Sequence, residues 1–189
     1  MQLKNYLRSP VNIKKLEDNT MKNIKGLLET LEQQEQELVF DSFTNSDALK
    51  LGTILAGKIE QYEEPLTVRI FIGDVIVYQY TKAGDEEFRF GWTYRKYQLV
   101  KKTGHSSMHS RIRAQFLGEF ADLTAQPEVY GFGCGAFPIT VKGKGIIGAA
   151  TVSGLPDPDD HPIVVHAIEE LLGKKTAELP DEVDRAFLA

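Results

Sequence analysis

Residues 66–81, Leu-Thr-Val-Arg-Ile-Phe-Ile-Gly-Asp-Val-Ile-Val-Tyr-Gln-Tyr-Thr, decide the fold. Two runs rich in β-branched and aromatic residues, Leu66 to Ile72 and Val75 to Thr81, are separated only by Gly73-Asp74. A two-residue connection needs positive φ, which glycine adopts without a Cβ clash, so this stretch predicts a β-hairpin. The pattern recurs near the C-terminus, where Ala136 to Lys142 and Ile146 to Ser153 flank Gly143-Lys144-Gly145. Two hairpins imply an antiparallel sheet, and the intervening segments must then cover its faces.

Those segments read as helices. Leu27, Leu28, Leu31, Glu35 and Leu38 recur at spacings of three and four. Ala48, Leu51, Leu55, Ile59 and Tyr62 form one stripe, with Thr44 or Ser46 as the cap and Pro65 beyond the end. Trp92 to about Arg111 returns to helical spacing, with small residues at Gly104, Ser106 and Ser107. Gln115 to Ala125 fits strand or helix, and Pro127 opens a turn to Tyr130. Pro162 to Leu172 is a last helix stopped by Gly173, while Val39 to Phe43 reads as a short extended link. The class is α+β. Residues 1–23, polar and locally basic (Lys4, Arg8, Lys14, Lys15, Lys22), form an N-terminal extension. Residues 24–173 form the domain, and 174–189 a polar tail with one more short helix after Pro180.

Composition narrows the function. The 189 residues carry a formal net charge of -5, which argues against a dedicated nucleic-acid binder, since that needs a concentrated Lys/Arg face. A local pocket can still attract an anion. One cysteine, Cys134, excludes an intramolecular disulfide; with no signal-peptide pattern at the start, a cytoplasmic location is expected. No run approaches the ~20 apolar residues of a membrane helix.

Candidate chemistry is sparse. His105 and His109 lie four apart, at metal-ligand reach, yet no acid is close in sequence, so they read as an exposed polar face and no metal site is expected. Asp159-Asp160-His161 has two readings: an acid-oriented base, or a helix cap with Pro162 in the first turn. No nucleophile motif accompanies the histidine. Tyr130-Gly-Phe-Gly-Cys-Gly-Ala136 lacks the lysine of a phosphate loop, and its glycines, with Gly145, Gly148, Ala149 and Ala150, mark a close approach. Cys134 reads as a buried structural thiol, and Trp92 with Arg95-Lys96 as core packing beside solvated basic neighbours, with anchoring of a carboxylate or phosphate the alternative.

Gly135-Ala-Phe-Pro-Ile139, Gly145-Ile-Ile-Gly148, Val152-Ser-Gly-Leu-Pro156 and Asp160-His161 together resemble the heme-degrading-domain family (HbpS-like and GlcG-like), in its functionally uncharacterised branch. Phe40-Asp-Ser-Phe43, Leu51-Gly52, Trp92 with Arg95-Lys96, and Ser106-Ser107 extend the match over about 24–173. The resemblance implies a profilin-like fold, a central antiparallel sheet of about five strands with helices packed on it, usually in homo-oligomers. Some relatives bind heme. Where relatives commonly carry a histidine before the Phe-Pro-Ile strand, this chain has Phe132 and Cys134. The function expected is therefore a non-catalytic or weakly catalytic binder of heme or another small organic ligand. Its site would use Trp92, Arg95, Lys96, Gly135, Phe137, Pro138, Ser153, Gly154 and His161, with His161 and Cys134 as the candidate axial ligands. The alternatives are an oligomeric interaction module, and a hydrolase or lyase using Asp160-His161.

Overall fold

The structure is a computed structural model that describes residues 10–82 and 86–180, with side chains for 22–82 and 89–180. The start of the basic extension, part of the loop at 83–87 and the short helix expected after Pro180 lie outside the described residues. Among those described, a long helix α1 (Pro10–Glu37) leads to strand β1 (Val39–Phe40) and helix α2 (Asn45–Ile59). The hairpin β2 (Thr67–Ile72) and β3 (Val75–Thr81) follows, then α3 (Glu86–Thr103), α4 (Ser107–Leu117) and the single turn α5 (Ala121–Thr124). A second hairpin, β4 (Ala136–Val141) and β5 (Gly145–Ser153), and helix α6 (Asp160–Leu172) complete the chain.

Both hairpins are present where the glycine turns place them, and they join edge to edge through β5 and β2 in the order β1-β4-β5-β2-β3. One pair departs from the antiparallel expectation. The segment read as an extended link contributes β1, which runs parallel to β4, so the five-stranded sheet is mixed. Two residues are too few to show alternation, and such a strand is visible only once its partner is in place.

Strand alternation sorts the faces. Val68 and Ile70 of β2, with Phe137 and Ile139 of β4 and Val152 of β5, pack under α2 and α6. Phe71 turns to the opposite face, where its ring stacks on Tyr97 of α3 at 4.4 Å between centroids. Ala136 and Ala149 lie beneath the same helix, so the element that the small residues admit is α3. Thr44 caps α2 with a full capping box, accepting the Asp47 N–H while Asp47 accepts that of Thr44. A separate cluster, Ile24, Leu27, Leu31, Met108, Ile112 and Cys134, fastens α1 to α4.

The helix expected from Trp92 through Arg111 is two helices. Gly104, at φ 76°, ends α3, and Ser106 begins α4 by accepting the His109 N–H at 3.2 Å. Periodicity alone carried the expectation across this break, although a glycine after two lysines followed by a serine is a stop and restart. The segment after Gly173 returns to the domain: Thr176 donates its N–H and Oγ1 to Glu169 Oε1, and Gln34 Nε2 donates to the Ala177 carbonyl.

Of the described glycines, Gly148 leaves the least room for a side chain: a Cβ there would stand 1.8 Å from the Phe71 carbonyl oxygen. Gly148→Ala must therefore push β5 from β2, and we expect a loss of about 3 kcal/mol or more in urea unfolding. Gly57, exposed on α2 with open space around it, gives the opposite sign: Gly57→Ala should gain about 0.5–1 kcal/mol.

Candidate functional site

The stretch from Ser153 to Asp160 carries the chain from the end of β5 into α6 and forms one wall of a cleft of about 200 Å³. The opposite wall is α3, where Arg89, Trp92 and Lys96 follow one another at spacings of three and four and so share a helix face. Gly133, Leu155, Asp157 and Asp160 complete the lining.

Beneath the cleft lies a buried ion pair. Lys96 Nζ is 2.9 Å from Asp160 Oδ2, and the two side chains are 3% and 2% exposed. Lys96 also donates to the Val152 carbonyl at 3.0 Å. Asp160 Oδ2 accepts the Gly154 N–H at 3.3 Å, and Oδ1 accepts that of Leu155 at 3.1 Å. Burial is the strongest influence on the Asp160 carboxyl and pushes its pKa up, against the pull of the Lys96 charge and these hydrogen bonds. Such a pair is tolerable because further hydrogen bonds engage both partners. The Asp160 side chain thus binds the turn before α6 and does not cap the helix, as one sequence reading had it; Asp159 stands at the cap position with no side-chain capping bond.

Asp157 is equally committed, pairing with Arg111 Nη1 and accepting the Cys134 N–H at 2.7 Å. Arg89 differs: its Nε is buried and has no hydrogen-bond partner among the described residues. Gly154, at φ 151°, adopts backbone that a side chain disfavours, and a Cβ there would stand 3.0 Å from Arg89 Nη1. Arg89 was absent from the sequence reading, although its spacing to Trp92 and Lys96 was legible.

The expected site residues divide into two groups. Trp92, Lys96, Ser153 and Gly154 line the cleft. Arg95 turns away, its guanidinium over the Trp92 ring at 4.2 Å and Nη1 donating to the Pro127 carbonyl. Gly135 lies behind the cleft, where a Cβ would strike Asp160, and Phe137 and Pro138 are buried in β4. His161 is fully buried and does not reach Asp160; its Nε2 is 3.0 Å from Gln34 Oε1, while Nδ1 has no hydrogen-bond partner among the described residues. Cys134 is buried, and burial first of all raises its thiol pKa well above the ordinary value.

The histidines at 105 and 109 correct an expectation. They do not form an exposed polar face: His105 lies in the α3–α4 link, His109 is buried, and Glu35 of α1 stands between them. The partner is seventy residues away in the chain, so local spacing gave no sign of it.

Removing one member of the buried pair strands the other charge. Lys96→Met should cost about 3–5 kcal/mol in urea unfolding, with part recovered in the double variant Lys96→Met/Asp160→Asn. His161 adds a pH dependence. Burial lowers its pKa from 6.5 to about 4, so its contribution is complete above pH 6.5 and falls away as the pH drops toward 4. Between pH 7 and 4.5 that loss is on the order of 2–3 kcal/mol, and His161→Gln should remove it from the pH profile of unfolding.

The comparisons with known proteins agree with this architecture. A Streptomyces coelicolor UPF0303 protein is 36% identical over 146 residues, which are 76% of this chain and 92% of that relative. Among solved structures, the Ybr137w protein superposes with a TM-score of 0.73 at 23% identity, covering 85% of this chain and 98% of the other. A PduOC–heme complex superposes at 0.59 and 14% identity, covering 72% and 99%; at these identities both likenesses concern the fold. The profile described as "Haem degrading protein HbpS-like" matches residues 43–169, and the chain belongs to that HbpS-like family.

Proposed function

We propose that the protein binds a small organic anion, a carboxylate with a flat apolar part, in the cleft between α3 and the turn into α6. The observation that carries this reading is Arg89, whose buried Nε has no hydrogen-bond partner among the described residues, while Lys96, Asp157 and Asp160 are already engaged. A buried donor without an acceptor costs free energy that an incoming carboxylate would offset. The Trp92 ring offers a flat wall, and the Gly154 backbone leaves room for the anion.

Heme, which the family name and the PduOC complex bring to mind, does not fit this cleft. A heme iron needs an axial His, Cys, Met or Tyr, and none lines it among the described residues. The volume is also below the range of about 300–1,000 Å³ usual for ligand pockets. Of the axial candidates, His161 is committed to Gln34 and Cys134 lies in the core. The hydrolase reading loses its pair, because Asp160 and His161 face different partners. Calorimetric titration with small mono- and dicarboxylates should show saturable binding that weakens at least about tenfold in Arg89→Ala. Failure of any carboxylate to bind, or binding indifferent to Arg89, would overturn the proposal. A hemin titration run in parallel should show no Arg89-dependent Soret change.

A second reading concerns the sheet edge. β3 is an outer strand with Val75 and Ile76 63% and 44% exposed, and an uncovered apolar edge favours pairing with another strand. We read it as the contact for a second copy of this chain, the homo-oligomer that the resemblance implies. Light scattering should find an oligomer that Val75→Lys dissociates; a monomeric wild type would sink the idea. No described helix is long and apolar enough to cross a membrane.

A further inference from the structure

The second group of chemical interest lies where the end of α1 meets the break between α3 and α4. Glu35, distant in sequence, meets His105 and His109 here, and one ligand atom from each of the three lies within 4.8 Å of the other two. Glu35 Oε2 is 2.7 Å from His105 Nδ1, and Glu35 Oε1 is 3.5 Å from His109 Nδ1. The histidine rings meet edge to face at 4.1 Å between centroids. We propose that these three residues form a site for a divalent first-row transition-metal ion, with Zn²⁺ the ion they match best.

A plain hydrogen bond explains only part of the arrangement. Glu35 and His105 satisfy one another, but His109 Nδ1 is left over. Its side chain is 4% exposed, and at 3.5 Å from Glu35 Oε1 the nitrogen has a long ion-pair contact but no hydrogen-bond partner among the described residues. A buried imidazole nitrogen that faces a carboxylate and another imidazole is placed as a metal ligand would be. Two ligands about 2.0–2.2 Å from one ion lie roughly 3.3–3.6 Å apart at the tetrahedral angle. The 3.5 Å between Glu35 and His109 matches this, and the 2.7 Å Glu35–His105 hydrogen bond opens to admit the ion. Two histidines and one carboxylate suit Zn²⁺ and related ions, and the His-x-x-x-His spacing is a common one.

The surroundings hold the donors in place. Ser106 donates its N–H to Glu35 Oε1 at 2.7 Å, fixing the carboxylate as an outer-shell partner does. Ser106 Oγ accepts the His109 N–H, and Thr103 Oγ1 accepts that of His105. Burial alone would raise the Glu35 pKa, but the hydrogen bond from His105, the nearness of His109 and the Ser106 N–H bring it down to about 2. His105, 27% exposed, offers the way in from solvent, and three protein ligands leave a position for water. Ligation through His105 Nδ1 moves the proton shared with Glu35 to Nε2 or releases it.

The test uses the full chain after treatment with a chelator. Titrated Co²⁺ should saturate at one ion per chain with a ligand-field band in the visible, and one equivalent of Zn²⁺ should displace it. His105→Asn, at a half-exposed position in a link, and Glu35→Gln should each weaken Zn²⁺ more than about 100-fold, beyond the usual effect of an outer-shell partner. Circular dichroism verifies the fold, and if Glu35→Gln fails to fold, His105→Asn decides. His166, exposed on α6, is the control, and His166→Asn should bind as the wild type does. No saturable band, a band surviving in His105→Asn, or one lost equally in His166→Asn overturns the proposal.

Discussion

The contact on which the rest depends is the buried pair of Lys96 and Asp160. Lys96 sits mid-way along α3 and Asp160 opens α6, on the far side of β5, so one ion pair ties the helix of one sheet face to the helix of the other. Through the Val152 carbonyl and the Gly154 and Leu155 N–H groups it also defines where β5 ends and how the chain turns. Two charges removed from water are costly, and the arrangement requires the further hydrogen bonds that both partners make. That requirement specifies the backbone around the cleft, where the buried Arg89 Nε has no hydrogen-bond partner among the described residues.

A second band of buried polar groups runs along α1. Gln34 meets His161 and the Ala177 carbonyl, Glu35 meets the His105–His109 pair, and Glu169 takes the N–H and hydroxyl of Thr176. The hydrophobic contacts of α1 with α4 supply attraction without direction, whereas these polar contacts set the helix's rotation and register. The segment after α6 is held against the domain by the same groups, although its composition reads as a tail.

The cleft and the family name pull in different directions. Membership in an HbpS-like family raises the expectation of heme, but what a site binds is decided by its donors and shape and not by the fold that carries it. Here the lining sets Arg89 and Lys96 beside Asp157 and Asp160 around one indole, and among the described residues it includes no His, Cys, Met or Tyr.

What the sequence by itself determined is local: the two glycine hairpins, the Thr44 cap, the apolar stripes of α2 and α6, and the small residues of β4 and β5 under a close neighbour. Each rests on periodicity or φ preferences within a few residues, and the family resemblance named the profilin-like frame that they build. Half of the candidate cleft was also legible, as Trp92, Lys96, Ser153 and Gly154. The rest was decided by tertiary structure. β1 became a strand only beside β4, and Gly104 divided a periodic segment that looked continuous. Arg95 and His161 were drawn to the Pro127 carbonyl and to Gln34, while Arg89 faced the cleft. Glu35 met two histidines seventy and more residues away, where no spacing rule reaches, because only packing α1 against the α3–α4 break brings a carboxylate to that pair.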